Sequence, residues 1–169
     1  MVRHASIIIA IWLVTFTAST RAESPPREPI VVMELFTSEG CSSCPPAETL
    51  LNDWVAYADE HDAPIYPLAF HVDYWDGLGW PDRFSSEQYT QRQAAYARAM
   101  GLANVYTPQL VINGRDEFLG SHEQTASDII RREMRRAAQV AVAPTIDWPA
   151  DANVVRVRCD MQGVTPDHM

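Results

Sequence analysis

The sequence predicts an α/β protein, on three observations. Apolar runs rich in β-branched residues alternate with segments of helical period. The change from the first run to the first helical segment falls at Cys41-Ser-Ser-Cys44. An Asn113-Gly114 step between two short apolar runs marks a hairpin after a further helical segment. The chain has 169 residues and 47% hydrophobic composition, which suits one domain with a single core and argues against wholesale disorder.

The N-terminus sets the expected compartment. Arg3 and His4 precede an apolar run from Ile7 to Phe16, and small or polar residues follow to Ala22. That order reads as a secretory signal peptide over residues 1–22, with Thr20 and Ala22 at the small positions before cleavage. The run is short for a membrane span and is interrupted by Thr15 and Thr17, so no stable span is expected in the mature form. An uncleaved anchor is the competing reading. The mature protein would begin near Glu23 with a proline-rich leader over residues 23–29, and would be secreted or periplasmic. Net charge is −9, and about −11 without Arg3 and Arg21, which argues against nucleic acid as a partner. All 13 basic residues are arginine.

Ile30 to Phe36 is a nearly continuous apolar run, as expected of a strand covered on both faces. Thr37 to Gly40 is a loop that delivers Cys41. From Cys44 the period changes: Ala47, Leu50, Leu51, Trp54, Val55 and Ala58 form one helical stripe, and Pro45 and Pro46 fit its first turn. Ile65 to Val72 is a second strand, weakened by Pro67. Residues 71–85 are aromatic, acidic and glycine-rich without a period, and read as an inserted structureless loop of functional character. Ser85-Ser-Glu-Gln88 resembles a capping box that opens a helix to about Met100, where Gly101 stops it. Gln109 to Ile112 and Asp116 to Gly120 are the hairpin strands. A last helix runs from Ser121 to about Val140, with Ile129, Ile130, Met134, Ala137 and Ala138 inward and Arg131, Arg132, Arg135 and Arg136 mostly solvated. The domain is therefore drawn over 30–140. Beyond it, 141–169 reads as a tail in which Val154 to Val157 forms one strand without an evident hairpin partner, as in a truncated β module.

This order resembles the thioredoxin fold, in which a redox pair and a cis-proline come from separate loops and meet. The resemblance implies a three-layer sandwich with a central mixed sheet flanked by helices. A closer likeness lies in Phe36-Thr-Ser-Glu-Gly-Cys-Ser-Ser-Cys-Pro-Pro-Ala-Glu48, His71-Val-Asp-Tyr-Trp75 and Tyr106-Thr-Pro-Gln-Leu-Val-Ile-Asn-Gly114. These segments resemble an exported, thioredoxin-like family known as a domain of unknown function. The likeness covers Ile30 to Val140 and implies a fold and a compartment, but no substrate.

The residues argue their chemistry independently. A thiolate attacks disulfides and a thiol hardly does, and Cys41 stands where unpaired helix amides favour an anion. Cys41 is therefore read as the nucleophile and Cys44 as the resolving thiol of a pair that an oxidising compartment leaves often as a disulfide. Two other readings stay open: an inert structural bridge, and a copper or zinc site formed by Cys41, Cys44 and His71, with Asp73 a further candidate. The thioredoxin pattern implies that Thr107 and Pro108 hold an extended client beside the nucleophile by strand addition, with Thr107 tuning the sulfur. An ordinary trans proline opening a strand is the alternative.

Glu34 interrupts an apolar strand. The resemblance implies a buried acid that takes the resolving thiol's proton, although here it stands one residue further from Cys41; a solvated acid at a strand edge is the alternative. Tyr74 and Trp75, beside His71 and Asp73, follow a strand end and are read as walls of the client cleft. His71 itself reads more simply as a hydrogen-bonded structural histidine. Cys159 lies outside the likeness and reads as a free or buried thiol, or as one that pairs between chains.

The leading reading is an enzyme, an exported thiol–disulfide oxidoreductase that needs no cofactor. It would reduce, form or isomerise disulfides in protein or small-thiol clients and exchange electrons with a redox partner protein. A metal-binding chaperone using the same cysteines and a non-catalytic binding module are the alternatives.

Overall fold

In the computed structural model, residues 29–136, 141–148 and 154–162 are described. The predicted signal peptide and most of the leader lie outside them. Strand β1 (Val31–Thr37) is the centre of a four-stranded mixed sheet of order β2-β1-β3-β4. It runs parallel to β2 (Ile65–His71) and antiparallel to β3 (Gln109–Ile112), which pairs antiparallel with β4 (Asp116–Leu119). A parallel neighbour requires a crossover, and helix α1 (Pro45–His61) supplies it. Pro67 fits within β2 because that strand is an edge, where one side of the backbone needs no ladder partner.

The strand period of two divides the core into two layers. Val31, Met33 and Leu35 pack with Leu50 and Leu51 of α1 and with Ala126 and Ile130 of α3 (Glu123–Glu133). On the opposite face, Phe36 and Val111 meet Tyr96 and Met100 of α2 (Glu87–Met100). Helices therefore cover both faces of the sheet, the three-layer arrangement of a thioredoxin-like sandwich.

Local chemistry explains most boundaries. Ser86 caps α2 by accepting from the Gln88 amide, and Gly101 ends it with φ 70°. The cap is one residue later than Ser85, whose hydroxyl instead donates to Asp76. Asn113 and Gly114, at φ 50° and 65°, make the two-residue turn whose positive dihedrals suit the twist of a hairpin. Helix α3 ends earlier than its period suggested. Arg135 and Arg136 donate to Arg132 and Glu133, so the last turn tightens to three-residue spacing. Ala137 and Ala138 lie outside the described residues. Arg131, Arg132, Arg135 and Arg136 are exposed as expected, but two of them, Arg132 and Arg136, reach buried Glu133, which Asn113 and Arg115 also contact.

Two expectations need correction. Residues 71–85 are not structureless: Asp73–Leu78 forms a 3₁₀ helix, and the rest is held by side chain-to-backbone bonds. The tail strand does have a partner. Strand β5 (Ala141–Asp147) pairs antiparallel with β6 (Arg156–Gln162) in a separate two-stranded sheet. Pro144 pairs within it opposite Cys159, which is an exposed free thiol.

Candidate redox site

The end of β1 delivers the cysteines to the start of α1. Cys41 N–H donates to Ser38, Cys44 N–H donates to Cys41, and Cys44 occupies the cap position before Pro45 and Pro46. The prolines cost nothing there, because first-turn amides have no intrahelical acceptor. Cys41 and Cys44 form a disulfide. Cys41 keeps 3% exposure and Cys44 none, so an approaching group meets the Cys41 sulfur first.

The loop before β3 faces that sulfur. The Thr107-Pro108 bond is cis, and the Thr107 hydroxyl donates to Cys41 Sγ at 3.3 Å. The residues that the sequence placed on separate loops are thus in contact. Among the described residues, no group hydrogen-bonds the backbone N–H or C=O of Thr107. Gly120 makes the approach of this loop to α1 feasible. A Cβ at this position would lie 2.8 Å from Leu35 Cδ1, 3.1 Å from Ala47 Cβ and 3.3 Å from Pro108 Cβ.

Below the loop lies a buried amide network. Gln93 of α2 donates to the Tyr106 carbonyl and to Gln109 Oε1, and Gln109 donates to Glu117. Tyr106 donates to the same carboxylate oxygen; burial and then the Glu117 contact hold its phenol far above the usual range. Tyr74 donates to Gln93 and is raised by burial, against the opposing hydrogen bonds of Gln93 and Thr107. Neither Gln93 nor Gln109 was singled out by sequence, since a glutamine on a helix normally reads as surface.

The 71–85 segment packs beside the pair. Trp75 does not present its polar edge to solvent: its indole N–H donates to Thr107 Oγ1 at 2.9 Å. Asp82, whose side chain is fully buried, accepts from the amides of Glu39 and Phe84 and lies 2.6 Å from His71 Nδ1. Burial pushes the Asp82 carboxyl up, but those amides and His71 outweigh it and leave the group below its usual range. His71 is thus hydrogen-bonded to a buried carboxylate. Trp80, 62% exposed, donates to Glu39 Oε2, and Leu78 and Phe84 are also exposed on this segment. No period marked these residues as a rim.

Glu34 is buried, which removes the solvated-edge reading, because β1 is the central strand. Its side chain faces α2, where Arg92 grips both carboxylate oxygens and Tyr96 donates to one. Among the described residues it makes no hydrogen bond with Cys41 or Cys44. The acid tied to the end of β1 is Glu48 instead, accepting from the Thr37 hydroxyl at 2.6 Å. Among the described residues, no three His, Cys, Asp or Glu side chains form a metal-holding cluster.

With a disulfide at a helix start and a cis-proline loop against it, the α/β architecture has the fold of a thioredoxin-like sandwich. The family described as "Protein of unknown function (DUF1223)" matches residues 32–167, and the chain belongs to it. That match continues beyond Val140 through the β5–β6 hairpin. A structural-genomics crystal structure of a protein from Agrobacterium tumefaciens is similar, with 40% identity and a TM-score of 0.58. The similarity covers 70% of this chain and 53% of the other, so the chain spans about half of that protein's length. No curated protein matches the chain.

Proposed function

We propose that the protein is an exported thiol–disulfide oxidoreductase working through Cys41 and Cys44. The observation that carries this reading is the 3.3 Å contact between Thr107 Oγ1 and Cys41 Sγ. It supports the reading because the cis-proline loop, which would pair with a client, lies against the more accessible sulfur of a disulfide at a helix N-terminus. In the oxidising direction, a client thiolate attacks Cys41 Sγ and the bonding pair leaves on Cys44 as a thiolate. A second client thiolate then displaces Cys41 from the mixed disulfide. Two electrons and two protons pass from the client dithiol to the pair, and reduction of a client disulfide is the reverse.

The unpaired backbone of Thr107 is suited to an extended client segment, and Leu78, Trp80 and Phe84 give the rim an apolar side for it. Export through the N-terminal segment would place the pair where disulfides persist. Trapping tests the roles directly. Cys44→Ser should accumulate mixed disulfides with a disulfide-bonded peptide, as the Cys41 thiolate attacks it and releases one peptide thiolate, whereas Cys41→Ser should accumulate few or none. Equal trapping by both variants, or by neither, would contradict the assignment.

A further inference from the structure

We propose that Trp75 is a positioning residue for the redox reaction: its indole N–H orients the Thr107 hydroxyl so that the hydroxyl proton points at Cys41 Sγ and stabilises the thiolate. The inference rests on the oxidoreductase reading and adds a residue that never touches the sulfur. An indole N–H can only donate, so at 2.9 Å it occupies a lone pair on Thr107 Oγ1. A hydroxyl has one proton, and with the indole on one lone pair that of Thr107 is directed at Cys41 Sγ at 3.3 Å; the Tyr74 phenol, which gives its own proton to Gln93 Oε1, is the other hydroxyl beside it. When the disulfide opens, that acceptor becomes an anion, and a hydrogen bond to an ionised partner is about twice as strong as a neutral one. A donor held in place before the charge forms lowers the thiol's pKa without reorganisation.

The indole is itself fixed. It belongs to the 3₁₀ helix, where the Asp73 amide donates to Thr90 Oγ1 and the Thr90 hydroxyl donates back to the Asp73 carboxylate. Across from it, Gly40 leaves room for Trp75 Cβ, which would sit 3.3 Å from any Cβ added there. Through Trp75 and Thr107 the inserted segment reaches the nucleophile. Ser43 Oγ lies 3.6 Å from the same sulfur but is exposed and has no comparable support. The other charged or titratable groups nearby are Glu39 before the cysteines, Glu48 on α1, the His71–Asp82 pair and Tyr74 next to Trp75. All are unchanged in a Trp75 variant.

The test is the pH profile of Cys41 alkylation in the chemically reduced full chain, read by intact mass alongside ultraviolet thiolate absorbance. Trp75→Phe should move the Cys41 profile up by about one pH unit, a roughly tenfold loss of thiolate below the midpoint. Thr107→Val should move it at least as far, Thr107→Ser should keep the wild-type profile, and Trp75→Phe with Thr107→Val should match Thr107→Val alone. A wild-type profile in Trp75→Phe, or additive shifts in the double variant, would overturn the role. If Trp75→Phe does not fold, an unshifted Thr107→Val decides against the proposal and a shifted one with wild-type Thr107→Ser supports it. Exchange of the wild-type pair with glutathione is scored separately, so failure of the oxidoreductase reading is distinguishable from failure of the Trp75 role.

Discussion

Glu34 and Arg92 share one ion pair but stand in different surroundings, the carboxylate side chain 5% exposed and the guanidinium 48%. Removing the arginine strands a buried charge, whereas removing the carboxylate leaves a guanidinium that water can reach. Arg92→Met should therefore destabilise by about 3 kcal/mol and Glu34→Gln by about 1 kcal/mol in urea unfolding. Equal losses would contradict the asymmetry. Tyr96 belongs to the same cluster; burial, then the Glu34 contact, raise its phenol to about 12 against the opposing effect of Arg92. A raised folded-state pKa contributes stability that is complete below the unfolded value and is lost as pH rises through the folded one. Alkaline unfolding should thus show a contribution between about 10 and 12 that Tyr96→Phe removes. At this scale the Cys41–Cys44 pair was legible because its spacing is local, and Thr107 and Pro108 were singled out through the resemblance to the thioredoxin fold. The direction of the Glu34 side chain and the partner of Trp75 were not legible, because the first depends on the two faces of β1 and the second on a contact 32 residues away.

Elements differed in the same way. Helix α2 and the Asn113-Gly114 hairpin were readable because their ends are set by capping and turn residues. The 71–85 segment had no period to read, since it is held by scattered carboxylates, chiefly Asp73, Asp76 and Asp82. Its docking should respond to acid. Asp82 sits below its usual range in the folded state, so its contribution is present above the unfolded pKa and lost as pH falls through the folded one. Acidification below about 4 should increase amide exchange at Glu39 and Phe84 before global unfolding, and Asp82→Asn should weaken that pH dependence. Unaltered exchange in acid would argue against this latch. The junction of β4 with α3 should be equally sensitive: Gly120→Ala must displace Leu35, Ala47 or Pro108, costing about 1–3 kcal/mol and slowing thiol exchange together. A variant as stable and as fast as wild type would show that the close approach is not needed.

The whole molecule explains why two loops 66 residues apart in sequence meet. Central β1 ends at Thr37, before the cysteine loop, antiparallel β3 begins at Gln109, just after Pro108, and the pairing of Phe36 with Gln109 brings those ends together. This layout was anticipated through the resemblance of the strand and helix order to the thioredoxin fold. The tail was less legible because Pro144 lies within β5, and proline normally argues against a paired strand. The central claim concerns the chemistry at that junction. Thiol trapping of the purified protein across glutathione redox buffers, read by intact mass, tests it most directly. The account predicts one reversible two-thiol transition of Cys41 and Cys44, with Cys41 alkylated first. A pair that stays a disulfide across the whole glutathione range would contradict it and leave Cys41–Cys44 a structural bridge.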